Sequence, residues 1–443
     1  MLYTVIYVFV RKISEKVIFD MNSDKAIKPF SEKIWLSSPT MHGDEKKWIC
    51  DAIDKNWVST IGENINVVEK AMSDLTDRKY SVGLSCGTSA LHLAVRLCGE
   101  KIYGRKPVDL RSLLGKKVFC CDLTFSATAN PIVYEGGEPV FIDSEYETWN
   151  MDPEALEKAF SVYPDVKIII IVHLYGTPAK MDELTEIADR HGAIIIEDAA
   201  ESLGSSYKGK QTGGFGTYSV VSFNGNKIIT GSSGGVFLCD DEADAALVRK
   251  WSTQSRETAP WYQHREMGFN YRMSNIVAGV VRGQLPYLQE HIDQKTAIYE
   301  RYKKGFSGLP VRMNPIGKDV IANHWLSCIL IDKEAMCDQM RTATETSFVA
   351  EDGKSCPTQI LQALEAINAE GRPIWKPMHL QPTFEGCGFV TKDGLKAPGE
   401  GGDVSSDIFE RGLCLPSDNK LSAQDQDVII ELVRSFFSKE TKA

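Results

Sequence analysis

The sequence predicts an α/β fold built on a mainly parallel sheet, followed by a second, smaller domain. Between residues 83 and 240, short apolar runs alternate with amphipathic helical patterns. One run, Ile168–Val172 (IIIIV), is β-branched throughout, as suits a strand covered on both faces. Helix signals separate the runs. Asp152-Pro153 supplies an N-cap and a first-turn proline, and Gly192 stops the pattern Met181–His191.

Taken in order, the expected strands are Lys117–Cys121, Pro139–Ile142, Lys167–Leu174, Ala193–Glu197 and Val220–Phe223. Ala90–Leu97 reads as a helix. Near Pro286 the alternation gives way to a long helical stretch, Tyr287–Phe306, and the remainder is richer in Gly and Pro. The expected organisation is an N-terminal extension over 1–33, a large domain over 34–285 and a small domain over 286–443. The apolar run Leu2–Val10 has nine residues, and a bilayer span needs ~20. Its positive charges, Arg11 and Lys12, follow the run, whereas a signal peptide carries them before it. Stable membrane insertion is therefore not expected. Met21 is an alternative start, which would make residues 1–20 an over-reading of the frame. A surface strand or a hydrophobic tail is the competing interpretation.

The chain has 443 residues, 43% apolar and 25% charged, ordinary values for a globular enzyme of two or three domains. With 60 acidic and 50 basic residues the formal charge is −10, which argues against nucleic acid as a partner. The 11 Cys residues form no CxxC pair, so a reducing cytoplasm is the simplest setting. The eight His residues lack metal-site spacing, and no metal is expected. Two nucleotide fingerprints fail. Gly204-SSYK-Gly209-Lys210 has Gln211 where a P-loop needs Ser or Thr, and reads as a tight turn. Gly213-Gly214-Phe215-Gly216 opens no helix.

Four other segments carry chemistry. Gly87-Thr88-Ser89 precedes a helix pattern, so its free N–H groups and hydroxyls suit a phosphate, although an ordinary helix cap has the same look. Phe125 lies past the end of a strand, where a ring stacks on a planar ligand or packs in the core. Asp198 ends the strand Ala193–Glu197, at the edge where α/β sheets collect ligands; a loop cap is the alternative. Glu201, three residues on, shares the pocket or faces solvent. Lys227 sits among small residues in Ser222-Phe223-Asn224-Gly225-Asn226-Lys227, as a nucleophile would, or as a solvated loop lysine. His173 reads as a satisfied core histidine. In that order, phosphate cradle, stacking ring, strand-end carboxylate and lysine together suggest pyridoxal 5′-phosphate.

At this point the sequence resembles the DegT/DnrJ/EryC1/StrS sugar aminotransferases, enzymes of fold type I. The resemblance runs from about Ile34 to Phe437. It is carried by SCGTSALHLAVR, DLTFSATANPIVY, PVFIDSEYETWNM, HLYGTPAKMDEL, IIEDAAESLGSSYKGKQTGGFG, SFNGNKIITGSSGG, MGFNYRMSNI and RPIWKPMHLQP. It implies an aspartate aminotransferase-like fold: a large, mainly parallel-sheet domain with a smaller α+β C-terminal domain. It implies that Lys227 forms the covalent link to pyridoxal phosphate, Asp198 pairs with the ring nitrogen and Phe125 stacks on the ring. Gly87, Thr88, Ser89 and Ser222 would hold the phosphate, with Glu201 near the cofactor. Asn270 would reach the neighbouring subunit's phosphate, making a homodimer with shared sites. Cys86 and the Ser232-Ser233 pair depart from the family pattern, but both are small.

The implied reaction takes an amino group from glutamate to the C4 ketone of a nucleotide-linked 4-keto-6-deoxy sugar, with Lys227 as base and then acid. The segments look closest to enzymes making UDP-linked 4-amino-6-deoxy-N-acetylhexosamines for surface polysaccharide or glycan synthesis. GDP-perosamine formation is the near alternative. Candidates for holding the sugar and nucleotide are His324, Trp325, Arg372, Trp375, Lys376 and His379, because Arg or Lys suits a diphosphate and Trp covers a sugar face. Two rivals stand: a non-catalytic, cofactor-binding regulator, and a lyase or desulfurase, for which Cys356 is the one loop thiol to name.

Overall fold

The computed structural model describes residues 27–104, 108–397 and 400–438. The Leu2–Val10 run and Met21 lie outside them. The strands in chain order begin with β1 (Tyr80–Leu84), β2 (Lys117–Cys121), β3 (Glu138–Ile142), β4 (Ile168–Val172) and β5 (Ile194–Asp198). A hairpin follows, β6 (Ser206–Tyr207) and β7 (Lys210–Gln211), then β8 (Tyr218–Ser222) and β9 (Gly235–Cys239). The second part supplies β10 (Val311–Met313), β11 (Val320–Ile321), β12 (Ser327–Ile331), β13 (Gln339–Arg341) and β14 (Thr346–Phe348). It ends with β15 (Arg372–Pro373), β16 (Gly388–Thr391), β17 (Gly394–Leu395) and β18 (Gly412–Leu415).

The central sheet has nine strands in the order β1-β9-β8-β5-β4-β2-β3-β16-β17. Pairing is parallel from β8 through β16, and antiparallel where β9 joins β1 and β8 and where β17 joins β16. Because β9 alone among its neighbours is reversed, β1 runs with the parallel set. The segments after β1, β2, β4, β5 and β8 therefore all emerge at one edge. That geometry builds the site.

Burial explains the strands. Every residue of Ile168–Val172 is buried, with Ile168, Ile170 and Ile196 on one face and Ile169, Ile171 and Ile195 on the other. Each buried Ile side chain contributes about 1.5–3 kcal/mol. The Gly87–Tyr103 helix covers the first face, and the Pro153–Val162 and Met181–His191 helices cover the second. The caps act as expected. Asp152 accepts from the Glu154 N–H at 2.8 Å, and Gly192 takes φ 59°.

The Leu288–Gly305 helix follows the turn at Pro286 and leads into the small sheet, β10-β12-β18-β15. One part of the chain expected in the small domain goes elsewhere. Residues 388–395 return to the large sheet, where Gly388, Phe389 and Val390 pair in parallel with Val140, Phe141 and Ile142. Phe389 and Val390 are buried on opposite faces of that sheet, which a solvent-facing loop could not offer them. Among the described residues no helix is long and apolar enough to cross a membrane.

Candidate active site

The Gly87–Tyr103 helix starts where β1 ends. Its N-cap is Cys86, whose sulfur accepts from the Ser89 N–H at 3.3 Å, while the Ser89 hydroxyl accepts from the Cys86 N–H at 3.1 Å. Ser89 is thus spent on the cap, and Cys86 takes the role an N-cap serine usually has. Thr88 is half-buried and Gly87 is buried. A Cβ placed on Gly87 would lie 2.9 Å from Cβ and 3.1 Å from Oγ of Ser222. This helix start and the end of β8 leave a cradle only glycine permits, and it offers N–H groups to an anion.

The last residue of β5 and the turn after it carry two buried carboxylates, Asp198 and Glu201. Asp198 accepts from the Thr128 hydroxyl at 2.8 Å and from the Ala200 N–H at 3.1 Å. Burial pushes its carboxyl above the usual range, against the pull of these donors and of Lys227. Burial also raises Glu201, against Lys227 and the Tyr175 N–H, which donates to it at 2.8 Å. The Lys227 amine lies 3.7 Å from Glu201 Oε1 and 4.0 Å from the Trp325 ring centroid. The Trp325 indole N–H donates to the Asn226 carbonyl at 2.7 Å, so this ring is fixed to the residue preceding Lys227. In the turn after Lys227, Ser232 takes φ 66°, a glycine-favouring value, and its N–H donates to Thr230 Oγ1 at 2.9 Å.

Aromatic rings line one side. Phe125 packs 5.3 Å from Trp375, Trp375 lies 6.2 Å from Tyr175, and Tyr175 lies 6.3 Å from Trp325. Phe125 is 52% exposed, so its ring is open to a ligand and is not core packing. Tyr175 is buried at φ 52°, a strained value that sites tolerate when their surroundings enforce it. Its hydroxyl accepts from the Trp375 N–H at 2.9 Å. The next residue, Gly176, takes φ 91°, and a Cβ there would lie 1.9 Å from Asn323 Oδ1, so no other residue fits.

The remaining sequence candidates divide. Trp375 joins the aromatic side, and its buried indole N–H approaches Glu201 and works against the rise that burial imposes on that carboxyl. His379 is tied down. Its Nδ1 lies 2.7 Å and its backbone N–H 2.8 Å from the Asp122 carboxylate. Burial works against its charged form, but Asp122 overrides this and raises its pKa. Lys376 offers its carbonyl to Gln381 at 3.3 Å. Arg372 is exposed and pairs with Glu370 at 2.6 Å. His324 packs on Tyr299 at 4.3 Å, and burial depresses its pKa to about 4. His173 is the satisfied core histidine expected, with Nδ1 accepting from Ala179 at 3.0 Å and Nε2 at 2.9 Å from Glu197. Asn270 is exposed, in the segment whose Tyr271 carbonyl accepts from Ser85 at 2.7 Å, just before the Gly87 helix start. Nothing in the sequence alone marks Thr128 or Tyr175, although both lie in segments that carry the family resemblance. The rejected P-loop is the tight turn expected, with Lys208 at φ 50° and Gly209 at φ 80° between β6 and β7.

The family model described as the DegT/DnrJ/EryC1/StrS aminotransferase family matches residues 39–434. The chain belongs to that family. EpsN of Bacillus subtilis, whose name describes a pyridoxal phosphate-dependent aminotransferase, is 41% identical over 413 residues, covering 92% of this chain and 96% of that protein. The GDP-perosamine synthase of Caulobacter vibrioides is 31% identical, covering 85% of this chain and 95% of its own length. A DegT/DnrJ/EryC1/StrS aminotransferase structure from Brucella abortus superposes with a TM-score of 0.75 at 24% identity, covering 90% and 96% of the two chains. PseC of Helicobacter pylori, an aminotransferase of pseudoaminic acid biosynthesis, does so at 0.75 and 20% identity, covering 92% and 99%. The fold is that of the type I pyridoxal phosphate enzymes, and the protein is a pyridoxal phosphate-dependent sugar aminotransferase.

The residues present fit the cofactor. The Gly87 cradle suits its phosphate. A positively charged ring nitrogen would favour the ionised form of Asp198, against the effect of burial.

Proposed function

We propose that this aminotransferase takes its amino group from glutamate and delivers it to the C4 ketone of a nucleotide-linked 4-keto-6-deoxy sugar. The substrate we propose is UDP-4-keto-6-deoxy-N-acetylhexosamine, for surface polysaccharide or glycan synthesis in the cytoplasm. One juxtaposition carries the reading: the Lys227 amine, 3.7 Å from Glu201 and 4.0 Å from the Trp325 ring, beside buried Asp198.

Bound there, pyridoxal phosphate supplies an aldehyde and an electron-withdrawing ring. The chain supplies the rest. Asp198, oriented by Thr128, keeps positive charge at the ring nitrogen. Thr88, Ser222 and the N–H groups at Gly87 anchor the phosphate. Lys227 moves the proton, as base and then as acid. Glu201 faces the amine and steadies its positive charge. Trp375, Tyr175 and Trp325 exclude water from one side.

The test adds glutamate to purified holoprotein and follows loss of the lysine-linked absorbance and release of 2-oxoglutarate. UDP-, dTDP- and GDP-linked 4-keto-6-deoxy sugars are then offered and the products weighed by mass spectrometry. Amine gain on the UDP sugar is expected, and no gain on any sugar sinks the reading. Gain on the GDP sugar alone would favour perosamine formation, a second reading supported by the relatives named GDP-perosamine synthase. Lys227→Ala should abolish the lysine-linked absorbance and lower turnover at least about 100-fold.

A homodimer with Asn270 in the neighbouring site is part of the proposal. It is supported by Trp261 and Tyr262, 66% and 80% exposed in the single chain a few residues before Asn270. Sedimentation should give twice the 49.3 kDa chain mass, and a monomer would overturn it.

A further inference from the structure

The Leu288–Gly305 helix carries two fully buried polar side chains one turn apart, His291 and Lys295, each 1% exposed. Neither belongs to the cofactor set. His291 Nδ1 lies 2.8 Å from the Ile228 carbonyl, and Lys295 Nζ lies 3.1 Å from the Trp325 carbonyl and 2.8 Å from that of Ser417. Ile228 is the residue after Lys227. Trp325 is the ring on which the Lys227 amine rests. The residue before Lys227 is held as well, since the Asn226 carbonyl accepts from Trp325 Nε1 at 2.7 Å and from the Ser37 hydroxyl at 3.1 Å.

The hydrogen bonds define the histidine. A carbonyl only accepts, so His291 Nδ1 carries the proton, and in the neutral ring Nε2 is an acceptor. That acceptor meets His42 Nε2 at 2.8 Å, so His42 donates. His42 is in turn stacked on Tyr287 at 3.7 Å, with ring planes 7° apart.

We infer that His291 and Lys295 are positioning residues that grip the backbone on both sides of the lysine–tryptophan contact and set the approach of the Lys227 amine, with His42 fixing the His291 tautomer. The cost of burying an ammonium in Lys295 is offset by its two carbonyl acceptors and Asp418, yet burial still lowers its pKa to about 8. Such a group is retained for geometry and gives little stability. An ångström of misplacement at a reacting amine costs about 100-fold in rate.

The inference rests on Lys227 being the cofactor lysine, and its test separates the two. In apoprotein, Lys227 is trapped with pyridoxal and borohydride, and its initial labelling rate is compared with that of exposed lysines by peptide mass spectrometry. In holoprotein, kcat, the glutamate KM and the midpoint of the pH titration of the lysine-linked absorbance are measured. Lys295→Met and His291→Leu should slow Lys227 labelling about 10-fold while exposed lysines are unchanged, lower kcat about 100-fold at near-constant KM, and shift the titration midpoint. His42→Gln, which keeps a donor for His291, should behave as wild type, and His42→Phe should fall between. If the first two variants fail to fold, the His42 pair decides on the same readouts. Folded variants with wild-type labelling, kcat and midpoint overturn the inference. Wild-type protein in which Lys227 never links pyridoxal phosphate overturns the function instead.

Discussion

Glu197 and Asp198 are adjacent carboxylates with opposite fates, because successive strand residues point to opposite faces. Glu197 turns away from the site. It accepts from the Phe215 N–H and the Ser219 hydroxyl at 2.8 Å each and from Gly213, and it faces His173. Burial opposes its charge, but His173 and these donors outweigh burial and hold its pKa at about 2. Its folded pKa is below the unfolded one, so the stability it contributes is complete above about pH 4.5 and is lost as pH falls through about 2. Glu197→Gln should therefore destabilise the protein by about 3 kcal/mol at neutral pH. Urea melts over a pH series should show the difference from wild type shrinking below pH 4.5. Asp198 faces the site, where Thr128 is one of its two donors. Thr128→Val should weaken pyridoxal phosphate binding about 10-fold, read as the concentration that restores the absorbance to apoprotein. Asp198 is legible in the sequence by its place at a strand end. Thr128 is not, because their contact spans 70 residues of chain.

At the scale of elements, the cradle proposed for the phosphate is a property of one helix start and one strand end together. Gly87 and Ser222 are each legible as members of small-residue segments, yet the closeness that would put a Cβ on Gly87 2.9 Å from Ser222 Cβ exists only when β1, β9 and β8 lie side by side. Gly87→Ala should reduce cofactor affinity about 100-fold, measured by titrating apoprotein with pyridoxal phosphate. Any helix stability gained from alanine is small, about 1 kcal/mol. The strands and helix stops were read closely, because β-branched runs, Asp-Pro caps and a glycine at a left-handed position act locally. Ser89 is harder to read, since a hydroxyl at a helix start serves a cap or an anion equally well, and its bonds to Cys86 exist only in the folded turn.

At the scale of the molecule, the Arg372–Pro382 segment is fastened to the end of β2 in the central sheet. Buried Asp122, just past β2, receives His379 twice and the Ser405 hydroxyl at 2.5 Å. His379 thus anchors a loop, and Trp375 is the part of that loop that reaches the site. Asp122→Ala takes the acceptor from both His379 donors, while Ser405 keeps Asp143 at 2.8 Å. It should cost about 3 kcal/mol of stability, speed proteolysis within 372–382, and raise the sugar KM more than the glutamate KM. A single transition with an intact loop would refute this anchoring role. The return of residues 388–395 to the large sheet belongs to the same scale. Gly388–Thr391 is too short a run to announce a partner, and its neighbour β3 lies far back in the chain.

Local chemistry is written in the chain: which segments are strands, where helices begin and stop, and that Lys227, Asp198 and a hydroxyl-rich helix start occur in an order suited to one cofactor. Periodicity and capping act over a few residues, so they are legible without a fold. Which face each carboxylate takes, which tryptophan meets the lysine, and which histidines serve the core were settled by packing. Those outcomes depend on contacts between residues far apart in the chain, and burial and charge at such contacts take their values only once the sheet has assembled.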